Sequence, residues 1–243
     1  ASSASAGAGG HNGARAANGH AGASRAATAK RAALGHAWHS EAQEAARVEH
    51  LNLVSDLRQA VAASELQMWL QPKFALATGR AVGAEALVRW IHPQRGFVSP
   101  AEFVPFAEQT GYITILTDWM LREALRTLQL WERTHPSLSI AVNVSTRDLQ
   151  DAGFAQRVGD LVAGSGINPQ HLRLEITESG LMEDAQKSVE LLHGLRALGL
   201  PLSIDDFGTG YSSLAYLQKL PVSELKIDRS FVDGIDRAPG TQK

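Results

Sequence analysis

Residues 172–206 read LRLEITESGLMEDAQKSVELLHGLRALGLPLSIDD. The apolar residues repeat with one period in the two end segments and with a different period in the segment between them. Residues 172–177 and 201–206 alternate apolar and polar side chains, which is typical of β-strands. Residues 185–198 repeat their apolar side chains every three or four positions, which is typical of an amphipathic helix. A strand, a helix and a strand in this order predict a βαβ unit with two parallel strands, and therefore an α/β fold.

The same two periodicities recur on both sides of this unit. The sequence predicts further strands at 67–74, 81–90, 138–144 and 223–228, and further helices at 41–64, 117–134, 152–164 and 211–219. Strands separated by amphipathic helices pair as a mainly parallel sheet. Periodicity leaves two architectures open, an open doubly wound sheet and a (β/α) barrel.

Composition excludes several classes of protein. The 243 residues are 44% hydrophobic and 20% charged, as in an ordinary globular protein, and they contain no Cys. Disulfide scaffolds, zinc–thiolate sites and cysteine nucleophiles are therefore excluded. A net charge of −2 provides no field that would attract DNA, RNA or an anionic membrane. Because the sequence also lacks a membrane-spanning apolar run and a secretory signal, we expect a soluble cytoplasmic protein.

The N-terminal segment differs from the rest of the chain. Residues 1–33 contain no Val, Ile, Leu, Met or aromatic residue and consist largely of Ala, Gly and Ser. Such a segment buries too little apolar surface to offset the entropy lost on ordering. We therefore expect residues 1–40 to form a disordered linker and residues 41–243 to form the folded domain.

Polar side chains occupy one face of five predicted strands, opposite the plain apolar residues. They include Glu85 with Arg89, Asn143, Glu175, Asp205 and Lys226. One explanation is that each strand has a solvated face. Because unpaired charges are costly to bury in a sheet that is covered on both sides, the favoured explanation is that these faces converge on a cation.

The candidate ligands offer only oxygen donors: Glu85, Asn143, Glu175, Asp205 and Asp206. Such donors select Mg²⁺ or Mn²⁺, with Ca²⁺ as an inhibitory occupant, and the adjacent pair Asp205 and Asp206 suits two ions. Two divalent ions are used to cleave phosphodiesters, for which Lys226 and Arg89 would supply positive charge and Gln71 a hydrogen bond. The competing enzyme class is an aldolase or isomerase barrel with Lys226 as a Schiff-base amine.

An ordered set of motifs lies on these strands. They are QP at 71–72, EALVRW at 85–90, NVS at 143–145, EITE at 175–178, DDFGTGYSSL at 205–214 and LKID at 225–228. Together they resemble the EAL domains, bacterial phosphodiesterases of the second messenger cyclic di-GMP. The resemblance covers about residues 48–235. It implies a TIM-like (β/α) barrel that hydrolyses cyclic di-GMP to linear pGpG with two Mg²⁺ or Mn²⁺ ions.

The resemblance also implies a role for each matching residue. Glu85, Asn143, Glu175 and Asp205 match metal ligands, and Asp206 matches the residue that holds the second ion. Lys226 matches a catalytic lysine that orients the attacking water, and Glu178 matches a glutamate that holds the DDFG loop in place. The residues that match contacts to the cyclic dinucleotide are Gln71, Leu87, Arg89, Pro100 and Asp228.

The sequence also departs from the family pattern. Leu70 stands where the family usually has an aromatic residue. The resemblance implies that the family pattern continues beyond residue 243 with further strands and with a further glutamate of the metal site. We therefore expect about six of the eight barrel strands, and we expect the piece 1–243 alone to be poorly folded and inactive.

Three further expectations concern regulation and partners. Ala29-Lys30-Arg31 with Gly35 resembles the end of a GGDEF (diguanylate cyclase) domain, which implies an upstream GGDEF or sensory domain. The helix at 211–219 is a candidate surface for a homodimer. The alternative function is a catalytically inactive EAL domain that acts as a cyclic di-GMP sensor or as a protein-interaction module.

Overall fold

The computed structural model describes residue 53, residues 56–209 and residues 214–233. The predicted disorder of residues 1–40 and the resemblance of residues 29–35 to a cyclase domain lie outside this range. So do most of the predicted helix at 41–64 and the start of the one at 211–219. Within the described residues, no helix combines the length and the apolar character needed to cross a bilayer.

The described strands form one sheet. They are β1 (Leu66–Phe74), β2 (Ala81–His92), β3 (Gly96–Val98), β4 (Ser139–Val144), β5 (Leu172–Thr177), β6 (Leu202–Phe207) and β7 (Glu224–Ile227). Their order is β1-β2-β4-β5-β6-β7, with β3 also paired to β2. All pairs from β2 to β7 along this path are parallel, whereas β1 and β3 are antiparallel to β2. The predicted α/β fold with a mainly parallel sheet is confirmed.

Helices connect most of the parallel strands. They are α1 (56–62), α2 (Pro100–Thr110), α3 (Ile113–Trp131), α4 (Thr146–Gln150), α5 (Phe154–Ser165), α6 (Glu178–Met182), α7 (Ala185–Ala197) and α8 (Leu214–Leu217), with 3₁₀ turns at Pro169–His171 and Arg229–Phe231. Helix α2 was not predicted. It begins with Pro100, because the first turn of a helix tolerates proline. It is followed by Gly111, whose φ of 80° ends the helix.

The apolar core lies on one side of the sheet. Ile140, Leu174 and Ile204 are completely buried, and they pack in one cluster with Leu121 of α3 and Leu192 of α7. These are the apolar residues that alternate with Asn143, Glu175 and Asp205 along the strands. On β4, β5 and β6 the predicted division into an apolar and a polar face is therefore present, and helices cover the apolar face. On β7 the apolar residues are not covered within the described residues: Leu225 is 45% exposed and Ile227 is 64% exposed.

The sheet curls strongly, so that its first and last strands approach each other. Strands β2 and β7 are four strand spacings apart, about 19 Å in a flat sheet. Yet Lys226 Nζ on β7 lies 3.0 Å from Glu85 Oε2 on β2, and Lys73 Nζ on β1 lies 3.7 Å from Glu224 Oε1 on β7. Within the described residues no backbone pairing joins β1 to β7. The sheet is therefore a TIM-like barrel that is not closed, with its polar face inside.

Candidate active site

Three carboxylates from three strands surround one ammonium group inside the barrel. Lys226 Nζ lies 3.0 Å from Glu85 Oε2, 2.7 Å from Glu175 Oε2 and 2.7 Å from Asp205 Oδ2. We call Glu85, Glu175 and Asp205 the carboxylate cage. The three acids lie 141, 51 and 21 positions before Lys226 in the sequence, so the curl of the sheet brings them together.

The carboxylate cage has the donor chemistry and the spacing of a site for a divalent cation. One oxygen from each of the three carboxylates lies within 4.8 Å of the others. Asn143, on the strand between those of Glu85 and Glu175, donates its Nδ2 hydrogen bond to Glu85 Oε1 over 3.0 Å. Hard oxygen donors at this spacing fit Mg²⁺ or Mn²⁺. Asn143, Glu85, Glu175 and Asp205 are therefore brought together as predicted ligands.

The charge of Lys226 is set by two opposed effects. Burial disfavours the ammonium form, but hydrogen bonds to Asp205 and Glu175 outweigh burial and raise the pKa of Lys226 above its ordinary value. The amine is therefore protonated at neutral pH. A protonated amine is not a nucleophile, so this environment does not favour the alternative of a Schiff-base lysine.

The backbone turns sharply beside the carboxylate cage. Asp206 has a φ of 52°, an uncommon conformation for a residue other than glycine, and its N–H donates to Asp205 Oδ1 over 2.9 Å. Burial, followed by the neighbouring charges of Asp205 and Asp228, raises the pKa of the Asp206 carboxyl. The predicted ligand of a second ion thus lies at the rim of the cage and is exposed.

Glu178 contacts this turn through a hydrogen bond. It is 1% exposed at the start of α6, and its Oε2 accepts a hydrogen bond of 2.8 Å from Gly208 N–H. Gly208 has a φ of 102°, and a Cβ at this position would lie 2.6 Å from the ring of Phe231. Only glycine fits here without a shift of the loop. The contact is of the kind that the expected loop-holding role of Glu178 requires.

Three of the expected substrate contacts share one cavity, and a fourth pairs with an acid of the carboxylate cage. Leu87, Arg89, Pro100 and Asn143 line one cavity of about 230 Å³ between β2, α2 and α3. Gln71 is exposed and pairs directly with Glu85 across β1 and β2. Gln71 is therefore a neighbour of the cage, and Asn143, which contacts Glu85, lies between the cage and the cavity.

Asp228 lies apart from that cavity, directly after β7. Its Oδ1 accepts a hydrogen bond of 2.9 Å from Ser230 N–H. Hydrogen bonds from the hydroxyl and the N–H of Ser230 hold the pKa of Asp228 below its ordinary value. Its carboxylate is thus charged and held against the turn that follows.

Two residues that contact the site, Lys73 and Trp69, were not predicted from the sequence. Lys73 Nζ donates a hydrogen bond to Glu175 Oε1, and the ring of Trp69 lies 5.5 Å from the guanidinium carbon of Arg89. Both follow the alternation of β1 that contains Gln71, so they share its face. This parity was the signal that could have identified them.

The comparisons with known proteins agree with the expected family and with the fold. Residues 54–243 match the family model of the EAL domain. The chain is 44% identical over 200 residues to the bifunctional diguanylate cyclase/cyclic di-GMP phosphodiesterase MucR of Pseudomonas aeruginosa, covering 82% of this chain and 29% of that protein. It is 41% identical over 210 residues to the cyclic di-GMP phosphodiesterase PA2567 of the same organism, covering 86% and 36%.

A solved structure shares the fold. The PaMucR phosphodiesterase in complex with c-di-GMP superposes with a TM-score of 0.74 at 44% identity, covering 79% of this chain and 78% of that one. The chain spans about a third of the length of the two curated relatives above. Because the family model covers most of the chain, this chain belongs to the EAL-domain family.

Proposed function

We propose that the protein hydrolyses one phosphodiester bond of cyclic di-GMP and releases linear pGpG, with two Mg²⁺ or Mn²⁺ ions as cofactors. The observation that carries the proposal is the carboxylate cage around Lys226, which offers oxygen donors within 4.8 Å of one another at the mouth of a barrel. Relatives with more than 40% identity are named cyclic di-GMP phosphodiesterases, which supports the same substrate.

The chain would hold the metal ions through residues of four strands. Glu85, Asn143, Glu175 and Asp205 would bind the first ion, and Asp206 would bind the second. Divalent cations at such a site lower the pKa of a bound water and neutralise phosphate charge. Ca²⁺ accepts the same oxygen donors with a looser geometry, so we expect it to occupy the site and inhibit.

Lys226 and Glu178 have separate roles in the proposed reaction. The ammonium of Lys226, kept charged by Asp205 and Glu175, orients the attacking water by a hydrogen bond and stabilises negative charge that develops on the phosphate. Glu178 would act on the loop rather than on the substrate. It fixes Gly208, and through it the turn that carries Asp205 and Asp206.

The substrate would lie across the rim of the barrel. The cavity lined by Leu87, Arg89 and Pro100, at about 230 Å³, is smaller than the roughly 300 Å³ at which whole-ligand sites begin, so it suits one part of a dinucleotide. A guanidinium such as that of Arg89 fits both a phosphate and the Hoogsteen edge of guanine. Gln71 and Asp228 would contact the substrate from the β1 and β7 sides.

Hydrolysis of cyclic di-GMP tests the proposal directly. The protein expressed from its whole gene is incubated with Mg²⁺ or Mn²⁺, and pGpG is separated from substrate by chromatography. We expect turnover that EDTA abolishes and that Glu85→Ala reduces to background. Metal-independent turnover, or full activity of Glu85→Ala, would refute the assignment of the metal ligands.

A second function is favoured by the ion pairs of Lys226. The ammonium of Lys226 neutralises part of the negative charge of the carboxylate cage without a metal ion. A sensor that binds cyclic di-GMP without hydrolysis would need a site that is stable in this way. Calorimetric binding of cyclic di-GMP in EDTA, together with no turnover in Mn²⁺, would support the sensor and exclude the enzyme.

The proposed setting of the domain is bacterial second-messenger signalling in the cytoplasm. The similarity to MucR, which is named as a bifunctional cyclase and phosphodiesterase, supports a GGDEF domain in the same protein. A homodimer through residues 211–219, of which 214–217 are described as helical, completes the proposal. Sedimentation of the protein with and without cyclic di-GMP measures the oligomeric state.

A further inference from the structure

Glu175 differs from the other acids of the carboxylate cage in its burial and in its partners. Its side chain is 0% exposed, whereas those of Glu85 and Asp205 are 18% and 20% exposed. Each of its two oxygens contacts a different lysine: Oε2 lies 2.7 Å from Lys226 Nζ, and Oε1 accepts a hydrogen bond from Lys73 Nζ. Glu175 is thus a fully buried carboxylate held on both sides.

The two lysines occupy different places. Lys226 contacts all three acids of the carboxylate cage, whereas Lys73 contacts Glu175 and, at 3.7 Å, Glu224 Oε1. Glu224 in turn accepts a hydrogen bond of 3.2 Å from Ser203 Oγ and lies 2.8 Å from Arg173 Nη1. Lys73 therefore joins the cage to a second polar group inside the barrel.

A cation that enters the carboxylate cage affects the two lysines differently. It would share with Lys226 the oxygens that face the cage, because Lys226 binds one oxygen of each acid there. Lys73 binds the remaining oxygen of Glu175 and so does not compete. Hydrogen bonds to the outer oxygen of a metal-binding group fix its orientation and tune its affinity.

We infer that Lys73 is a positioning residue of the metal centre: its ammonium holds Oε1 of Glu175 so that Oε2 faces Glu85 and Asp205. The inference rests on the proposed metal-dependent function. It assigns a role to the third residue of the QPK segment at 71–73, which the sequence motifs did not single out.

Positioning and simple charge give opposite expectations. If Lys73 acted only as a positive charge near the site, its removal would relieve repulsion and tighten the binding of a divalent cation. If it positions Glu175, its removal leaves a buried carboxylate with one free oxygen and a choice of orientations, and binding weakens. The sign of the change therefore separates the two roles.

The test measures Mn²⁺ affinity by calorimetry in the protein expressed from its whole gene. We expect Lys73→Met to weaken Mn²⁺ binding about 10-fold or more and Lys73→Arg, which keeps the charge and the donors, to recover most of the affinity. The matched control is Arg173→Met, which removes a cation of the neighbouring polar group that pairs with Glu224 rather than Glu175. It should leave Mn²⁺ affinity unchanged.

Kinetics give a second readout. For Lys73→Met the Mn²⁺ concentration that gives half-maximal turnover should rise, while the KM for cyclic di-GMP at saturating Mn²⁺ stays the same. If Lys73→Met does not fold, the charge-balanced double variant Lys73→Met with Glu224→Gln replaces it, with the same expected loss of affinity.

Each outcome has one meaning. Failure of the unaltered protein to bind Mn²⁺ overturns the proposed metal centre and the inference with it. Normal binding by the unaltered protein, with equal or tighter binding by Lys73→Met, overturns the role of Lys73 alone. An equal loss in Arg173→Met also overturns it, because the effect would then belong to the whole interior layer.

Discussion

The two faces of the same strands differ in what their residues do. On β5, Leu174 and Glu175 are adjacent and both completely buried, yet Leu174 packs under the helices and Glu175 lies between two lysines inside the barrel. Burial alone therefore says little about role in this fold. The partner of the buried group decides it, because an apolar side chain stabilises by leaving water, whereas a buried carboxylate is tolerated only when paired.

The largest expected effect comes from the inner member of this pair. Glu175→Gln keeps the shape of the side chain but removes the charge that two lysines contact. We expect the rate of cyclic di-GMP hydrolysis to fall roughly 1,000-fold, since loss of a metal ligand removes several kcal/mol of transition-state stabilisation. Steady-state assays in saturating Mn²⁺ measure it. A loss below threefold would show that Glu175 is not a ligand.

The outer member should show the reverse behaviour. Leu174→Ala opens a cavity in the larger apolar cluster and should lower the free energy of unfolding by about 2–5 kcal/mol, as measured by urea denaturation. At a temperature where the variant is still folded, its Mn²⁺ affinity and its turnover should match those of the unaltered protein. A selective loss of turnover in the folded variant would contradict the separation of the two faces.

The alternation that separates the faces explains what the sequence could predict. A period of two residues places Asn143, Glu175 and Asp205 opposite Ile140, Leu174 and Ile204 whatever the order of the strands. The strand bounds and the polar cluster could therefore be predicted, and the motifs then added the family.

The direction of β1 could not be predicted in the same way. Parallel and antiparallel strands share one period, so the antiparallel pairing of β1 with β2 leaves no periodic signal. The contact of Lys73 with Glu175 joins residues 102 positions apart, and it depends on the curl of the sheet. Helix α2 was missed because Pro105 lies inside it, and proline ordinarily argues against a helix interior.

A smaller effect is expected at the turn that borders the inner face. Gly208→Ala would place a Cβ 2.6 Å from the ring of Phe231 at a φ of 102°. We expect a cost of about 1–3 kcal/mol in stability and a drop in turnover, because the turn that carries Asp205 and Asp206 must shift away from Glu178. Thermal unfolding and hydrolysis assays measure the two effects.

Gly79→Ala is the matched control for this substitution. Gly79 has a φ of 64° but open space where a Cβ would be placed. It should therefore show the cost of the backbone conformation without the loss of turnover. Equal turnover in the two variants would show that the position of the turn does not matter for the reaction.

The smallest expected effect concerns the rim of the inner face, where Trp69 supports Arg89. The Trp69 side chain is 52% exposed, and its ring lies 5.5 Å from the guanidinium carbon, which is within the range of a cation–π interaction. Such a contact contributes about 0.5–1 kcal/mol at an exposed site, so Trp69→Ala should raise the KM for cyclic di-GMP about two- to fivefold and leave kcat unchanged.

Two further variants serve as controls. Trp69→Phe keeps an aromatic ring beside Arg89, so its KM should stay close to that of the unaltered protein. Phe74→Ala removes a similarly exposed aromatic residue, 58% exposed, from the last position of β1 and should have no effect on KM. A fall in kcat without a change in KM would contradict this role. Trp69 would then support the carboxylate cage rather than the binding of the substrate.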